Sequence, residues 1–367
     1  MKLRCERDVL VEAIGTAGRA VAGRGGALPV LSGVRMEVRG DRLHVAGSDL
    51  DLTIQVEVAV AGGADGVCVV PARLAADIVR SLEPGAVAIE AADDEVRIAS
   101  GRSHFAVRML PAAEFPRLPV PVPAEEGVTI GAAELAEALR QVVRAASGDD
   151  ARPILTGVLM TAEEGNLRLV ATDSYRLAVR DLPGASVLRE GQKVLVPSKA
   201  LTELQRLLAT AEQVAIHLGE HEAGFAVGDV RLTTRLIEGE FPNYRQLIPS
   251  THPNRLIVGK EPLLDAVRRV KLLVRDATTP VRIALRPDGI ELTVVTQEVG
   301  QATEDVDAKY EGTEMTVAFN PSYLIDGIEA IDGDEVQLET IDALRPAVIR
   351  PTEGAEYLYL LMPVRVS

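Results

Sequence analysis

LPVLSGVRMEV at 28–38 returns as RPILTGVLMTA at 152–162 and, more faintly, as TPVRIALRPDG at 279–289. Anchored on Pro29, Pro153 and Pro280, these phrases are 124 and 127 residues apart. Working outward, VVPARLAADIVRSL (69–82) recurs as LVPSKALTELQRLL (195–208) and AFNPSYLIDGIEAI (318–331); Pro71, Pro197 and Pro321 are 126 and 124 apart. LPAAEFPRLP (110–119) answers LIEGEFPNYRQLIP (236–249), with Pro116 and Pro242 126 apart. Three independent anchors on one period mean a unit of about 125 residues present three times. The expected domains are 1–123, 124–249 and 250–367, joined at LPVPVP (118–123) and IPSTHPN (248–254).

Each repeat has one internal order. A helix opens it, at 8–22, 132–146 and 261–275, with apolar Leu135, Leu139, Val142 and Val143 at helical spacing. Alternating strands such as RLHVAGSDLDLTIQVEV follow. A second helix then starts at a proline, where the missing N–H costs little. Two more strand pairs close the unit. The fold class is therefore α+β, three repeated domains of antiparallel sheet with two helices each.

The composition limits what such a protein does. Over 367 residues, 39 Lys and Arg against 54 Asp and Glu leave a net charge of −15. That balance opposes a conventional nucleic-acid binder, which neutralises phosphates with a basic surface. Cys5 and Cys68 are too few for a disulfide framework or a four-thiolate metal site. Glu6 and Asp8 interrupt the region where a signal peptide carries its apolar run, and no stretch is long and apolar enough for a membrane span. A cytoplasmic protein is expected.

A search for catalytic chemistry returns little. There is no phosphate-binding P-loop and no nucleophile elbow, and GRGG at 23–26 lacks dinucleotide-fingerprint spacing. His217 and His221 sit in what reads as a polar hairpin, Asp93-Asp94 at a hairpin tip, and Asp49 and Asp51 alternate with leucines on a strand. Neither a metal nor a cofactor is implied. Charge on the helices says more. In the segments 8–24, 72–82, 134–146, 198–208 and 261–276, twelve bases outnumber nine acids, against the sign of the whole chain. Arg73/Arg80, Arg140/Arg144, Lys199/Arg206 and Lys271/Arg275 each place two cations on one helix face. The sixth helix, 321–332, carries Asp326, Glu329 and Asp332 and no base.

LPVLSG, VPARLAADIVRSL, SGRSHFAVRMLPAAEFP, ATDSYRLAV, LIEGEFPNYRQLIP, FNPSYL and the terminal YLYLLMPVRV together resemble the β sliding clamps of bacterial DNA polymerase III, in order and over nearly the whole chain. The resemblance implies a DNA clamp fold and a head-to-tail homodimer closed into a ring around double-stranded DNA, a processivity factor and not an enzyme. Twelve helices lining such a ring, about 10 Å apart, leave an opening of about 28 Å, wider than B-form duplex. Topology then retains the DNA, and an acidic exterior discourages binding from outside. The resemblance also implies a cleft between the second and third domains for short peptides of the polymerase III alpha subunit, the clamp loader and other proteins bearing a clamp-binding motif. Matching positions are Leu155, Thr172, Arg176, Leu177, Pro242, Tyr323, Met362, Pro363 and Arg365, flanked by Leu247, Leu344, Leu360 and Val364. Ser174, Tyr175 and Pro346 depart from the family pattern, and a bulky Tyr175 reshapes the expected pocket. Arg24 matches a DNA-contacting position; Arg73, Arg80, Arg140, Arg144, Lys199, Arg206 and Lys271 are candidates from their helix faces. The alternative is a specialised second-copy clamp, or a peptide-binding scaffold, with an altered cleft, for example an inhibitor-tolerant one.

Overall fold

A computed structural model of the chain describes residues 1–23, 28–120, 127–276, 278–354 and 356–365. Six α-helices appear among them: α1 Arg7–Ala17, α2 Ala72–Ser81, α3 Ala132–Val142, α4 Ser198–Leu208, α5 Lys260–Lys271 and α6 Pro321–Glu329, two per repeat. All strand pairing is antiparallel. Strand Val281–Arg286 shows the governing pattern: Val281, Ile283 and Leu285 are buried, and Arg282 and Arg286 face water.

The chain packs as two compact units, 1–133 with 203–236, and 134–202 with 237–367. This division cuts through the middle repeat because the sheets do not stop where the repeats do. In the first unit, strand Leu52–Ala59 of the first repeat pairs with Val230–Arg235 of the second, making one eight-stranded sheet. In the second unit, Arg176–Leu182 pairs with Tyr357–Leu361 of the third repeat, making one of nine strands. Two further sheets end in strands that carry no such partner among the described residues: Ser103–Arg108 in the first unit and Gly300–Val306 in the second.

Three local features differ from the sequence reading. The first helix was expected to reach residue 24, but α1 ends at Ala17 and a 3-10 turn, Gly18–Ala20, follows. Strand Arg42–Ser48 crosses against that end so closely that a Cβ on Gly47 would stand 2.0 Å from the Ala17 carbonyl oxygen. Arg24 lies outside the described residues. Helix α5 ends at Lys271, and its last turn tightens into i→i+3 bonds at Leu272, Leu273 and Val274. Asp49 and Asp51 belong to a turn and not to a strand: Asp49 Oδ1 accepts from the N–H groups of Asp51 (3.1 Å) and Leu52 (2.8 Å), and Leu50 sits at φ +83°. A short acid that bonds its own backbone competes with strand pairing. The expected hairpins at Asp93-Asp94 and at His217–His221 are present.

Candidate functional site

Within the second unit, Thr172–Arg176 forms the same turn as Ser48–Leu52. Asp173 Oδ1 accepts from the N–H groups of Tyr175 (2.9 Å) and Arg176 (3.1 Å), and the Thr172 hydroxyl donates to the Arg176 carbonyl at 2.6 Å. This turn holds Ser174 at φ +80°, a left-handed conformation that costs an L-residue about 1 kcal/mol or more. It also projects Tyr175 outward, 58% exposed, onto the Tyr323 ring, with centroids 6.3 Å apart and planes 25° from parallel.

Arg176 organises this group from beneath. Its side chain is only 10% exposed; Nε donates to Asp173 at 3.0 Å, Nη1 donates to Asp326, and the guanidinium lies 4.4 Å from the centre of the Tyr323 ring. The Tyr359 hydroxyl donates to the Tyr323 carbonyl at 2.9 Å, and burial pushes that phenol above its ordinary range. Asn320 caps α6 by accepting from the N–H groups of Ser322 and Tyr323, and Pro321 occupies the first helical position, so FNPSYL presents Tyr323 at a fixed place. Gly327 lets the Tyr359 ring approach α6, since a Cβ there would meet the ring at 2.5 Å.

The terminal segment runs past the aromatic pair. The N–H of Met362 donates to the Tyr175 carbonyl (2.9 Å), and that of Val364 to the Ala318 carbonyl (2.8 Å). Leu177 and Leu360, directly opposite each other across the strand pair, form an apolar floor with Leu159, Val170, Leu195 and Tyr244. Direct contacts thus join Thr172, Ser174, Tyr175, Arg176, Tyr323 and Met362, and separately Leu177 and Leu360. Leu155 is buried in the 3-10 turn Pro153–Thr156, Leu247 ends the turn Tyr244–Leu247, and Leu344 is exposed in a turn capped by Asp342. Pro242 and Arg365 are exposed, whereas Pro346, Pro363 and Val364 are half-buried. Asp173, Asp326 and Tyr359 are not among the residues the sequence placed at the cleft; the acid inside ATDSYRLAV was the available signal for the first.

The equivalent turn in the first repeat is a natural contrast. The Arg235 N–H donates to the Asp51 carbonyl at 2.9 Å, as Met362 does to Tyr175, yet the paired floor positions are Thr53 and Thr233 in place of Leu177 and Leu360. A floor of hydroxyls offers a peptide far less apolar contact.

The basic candidates divide into two groups. Arg73, Arg80, Lys199 and Arg206 are exposed; Arg80 pairs with Asp77 at 3.2 Å and Arg206 with Glu203 at 2.6 Å. Lys271 is half-buried at the end of α5. Arg140 and Arg144 instead turn their charge onto α6. Arg140 bonds Glu137, the carbonyls of Glu329 (3.0 Å) and Ala330 (3.2 Å), and Asp332; Arg144 reaches Glu329 (3.2 Å) and Asp326 (3.6 Å). The acids that set the sixth helix apart are the counter-ions of Arg140, Arg144, Arg176 and Arg268. No cluster of three or more metal-ligating side chains occurs among the described residues, and none of their helices is long and apolar enough to cross a membrane.

Three repeats of antiparallel sheet and paired helices, with sheets continuous across repeat boundaries, define a DNA clamp architecture. Residues 1–119, 129–243 and 245–365 match the N-terminal, central and C-terminal domains of the DNA polymerase III beta subunit. The chain is 36% identical to the beta sliding clamp of Streptomyces coelicolor and 33% identical to that of Synechococcus elongatus, each alignment spanning 100% of both proteins. Among solved structures it is similar to the Bacillus subtilis clamp (TM-score 0.92, 31% identity) and to a Bartonella birtlesii clamp bound to griselimycin (TM-score 0.94, 32% identity), covering 100% of each chain. The chain belongs to the beta sliding clamp family. It is a non-catalytic processivity subunit of DNA polymerase III.

Proposed function

We propose that two copies of this chain close head to tail into a ring around double-stranded DNA, and that the Tyr175–Tyr323 cleft holds the peptides of its replication partners. The carrying observation is the pair of open strands. Leu52–Ala59 and Arg176–Leu182 each pair with the last strand of the next repeat; Gly300–Val306, their equivalent in the third repeat, ends its sheet. Ser103–Arg108, equivalent to Val230–Arg235 and Tyr357–Leu361, likewise ends its own. A second copy offers each edge the kind of strand it lacks, and a heterologous contact that closes makes a ring. Charge supports the match: Arg102, His104 and Arg108 mark one edge, and Glu298, Glu304 and Asp305 the other. Exposed Phe105 and Leu272, the latter 75% exposed at the end of α5, add apolar area.

The polymerase III alpha subunit, the clamp loader and other proteins with a clamp-binding motif are the expected partners, in the cytoplasm, and the functional domains are 1–123, 124–249 and 250–367. Loading by a cognate loader onto nicked circular and linear duplex of equal length tests the ring. Retention on circles with loss from linear ends is expected; equal retention on both refutes encirclement. A specialised second-copy clamp is the other reading, favoured by Tyr175 standing exposed over Tyr323. It expects griselimycin to bind this chain at least tenfold more weakly than the Bartonella clamp, and equal affinities overturn it.

A further inference from the structure

Beyond the cleft, the same sheet face continues. Leu177 opposite Leu360 is one rung of the strand pair; Val179 opposite Leu358 is the next on that face, and Asp181 beside Glu356 the one after. Successive same-face rungs are about 7 Å apart. The turn Tyr244–Leu247 crosses here, and Tyr244, Arg245 and then Ile248 line a separate cavity of about 540 Å³. Val179, Ile248 and Leu358 supply its apolar lining, and Arg168 and Arg350 its cations.

The cavity contains donors without acceptors. Tyr244 is 6% exposed, and its buried hydroxyl finds no acceptor for its own proton. The Arg168 and Arg245 guanidiniums beside it donate toward the phenol oxygen but cannot accept a proton. The nearby carboxylates are already engaged: Asp181 takes Arg168 through both oxygens (2.6 and 2.7 Å), and Glu163 takes Arg168 and Arg245. Arg350 Nε, 3.3 Å from Glu339, also lacks an aligned acceptor. An acceptor oxygen from outside would satisfy the phenol. Exposed Glu353 and Glu356 at the mouth disfavour a carboxylate and favour a neutral carbonyl accompanied by a basic group.

We propose that this cavity is a second subsite for the partner peptide: the chain flanking the cleft-bound segment places an apolar side chain on Val179 and Leu358, an amide carbonyl on the Tyr244 hydroxyl and a basic side chain at Glu353 and Glu356. The proposal rests on the cleft reading for its occupant, because the two sites share one apolar cluster containing Leu177, Leu360, Val179 and Tyr244.

The test uses the full-length protein with its six tyrosines isotope-labelled, the Tyr244 signal being identified by its loss in Tyr244→Phe. Acetyl-Leu-Gln-Lys-amide, titrated to about 10 mM, where a millimolar site is saturated, should shift Tyr244 and leave Tyr175 and Tyr323 unmoved. The core peptide acetyl-Leu-Ala-Leu-Phe-amide should shift Tyr175 and Tyr323. Fusing Leu-Gln-Lys to one end of that core should tighten binding about tenfold or more by effective concentration, a gain lost in Tyr244→Phe. No movement of Tyr244 overturns the subsite whatever happens in the cleft. Movement of Tyr244 with Tyr175 and Tyr323 silent toward the core peptide refutes the cleft reading, and the flanking-chain occupant with it. A fused peptide no tighter than its core, at either end, refutes the occupant alone.

Discussion

Arg176 ties the Tyr175–Tyr323 group to α6, and Arg176→Met isolates its charge. In the native protein its guanidinium, 10% exposed, is set between the carboxylates of Asp173 and Asp326 and under the Tyr323 ring. Burial works against that charge, but Tyr359, Asp326 and Asp173 more than offset it and hold the guanidinium firmly protonated. Methionine keeps most of the volume and removes the cation, leaving two acids facing an apolar neighbour. Breaking a buried pair in this way costs about 3–5 kcal/mol, with about 1 kcal/mol more from the lost cation–π contact. For a unit of this size that corresponds to a fall of about 8–15 °C in Tm. Scanning calorimetry should show the transition of the second unit moving while that of the first stays. The partner change Asp173→Asn should recover at least about 2 kcal/mol when added to Arg176→Met, since it removes the buried acid that loses its cation. A single-variant loss below about 1 kcal/mol, or strict additivity in the double variant, would falsify the view that this ion cluster holds the cleft together.

Arg73→Glu with Arg80→Glu should impair loader-dependent retention on nicked circles while leaving Tm within about 1 °C, because exposed helix charges add little to stability; unimpaired loading would mean these side chains do not face the DNA. Gly327→Ala should destabilise the second unit by about 1–3 kcal/mol in urea unfolding, as its methyl group drives into the Tyr359 ring. Burial alone would raise the Glu329 carboxyl, but hydrogen bonds from Arg268 and Arg144 outweigh it and hold the group below its ordinary 4.5. A depressed folded pKa means stability that is present above pH 4.5 and lost as pH falls through the lower folded value. Glu329→Gln should therefore flatten the acid limb of the stability–pH curve, and an unchanged limb would count against the pairing. Burial lifts the Cys68 thiol to about 12, so a disulfide-exchange reagent at pH 8 should leave it unreacted until the chain unfolds.

What could be read from the chain divides by the range of the interaction. Triplication, two helices per repeat and the hairpin at Asp93-Asp94 rest on local pattern and period, and these stand in the structure. Pairing of Leu52–Ala59 with Val230–Arg235 joins residues nearly 180 positions apart, and nothing in either strand announces its partner. Arg140 and Arg144 show the same limit in electrostatics. Spacing on α3 placed them on one helix face, but only the fold brings Asp326, Glu329 and Asp332 up to them. Helix-face arithmetic counts charges without knowing which are already matched. Asp49 and Asp51 misled for the opposite reason: alternation with Leu50 and Leu52 imitates a strand where the Asp49 carboxylate bonds its own backbone.

The two equivalent turns, Ser48–Leu52 and Thr172–Arg176, argue that repetition and function can be separated residue by residue. Both keep an aspartate capping two N–H groups, a left-handed third residue and a backbone bond to the following repeat. These features build a sheet across a repeat boundary, and both boundaries need them. Only the second has leucines on the floor, Tyr175 projecting above and Arg176 reaching Asp326 below. Grafting follows from this difference. Thr53→Leu with Thr233→Leu restores an apolar floor to the first turn without touching its backbone bonds, and the leucine-rich core peptide should then show new, weak binding to the first unit. Binding confined to the second unit in that variant would mean that the floor alone is insufficient and that the aromatic pair over Arg176 supplies the recognition.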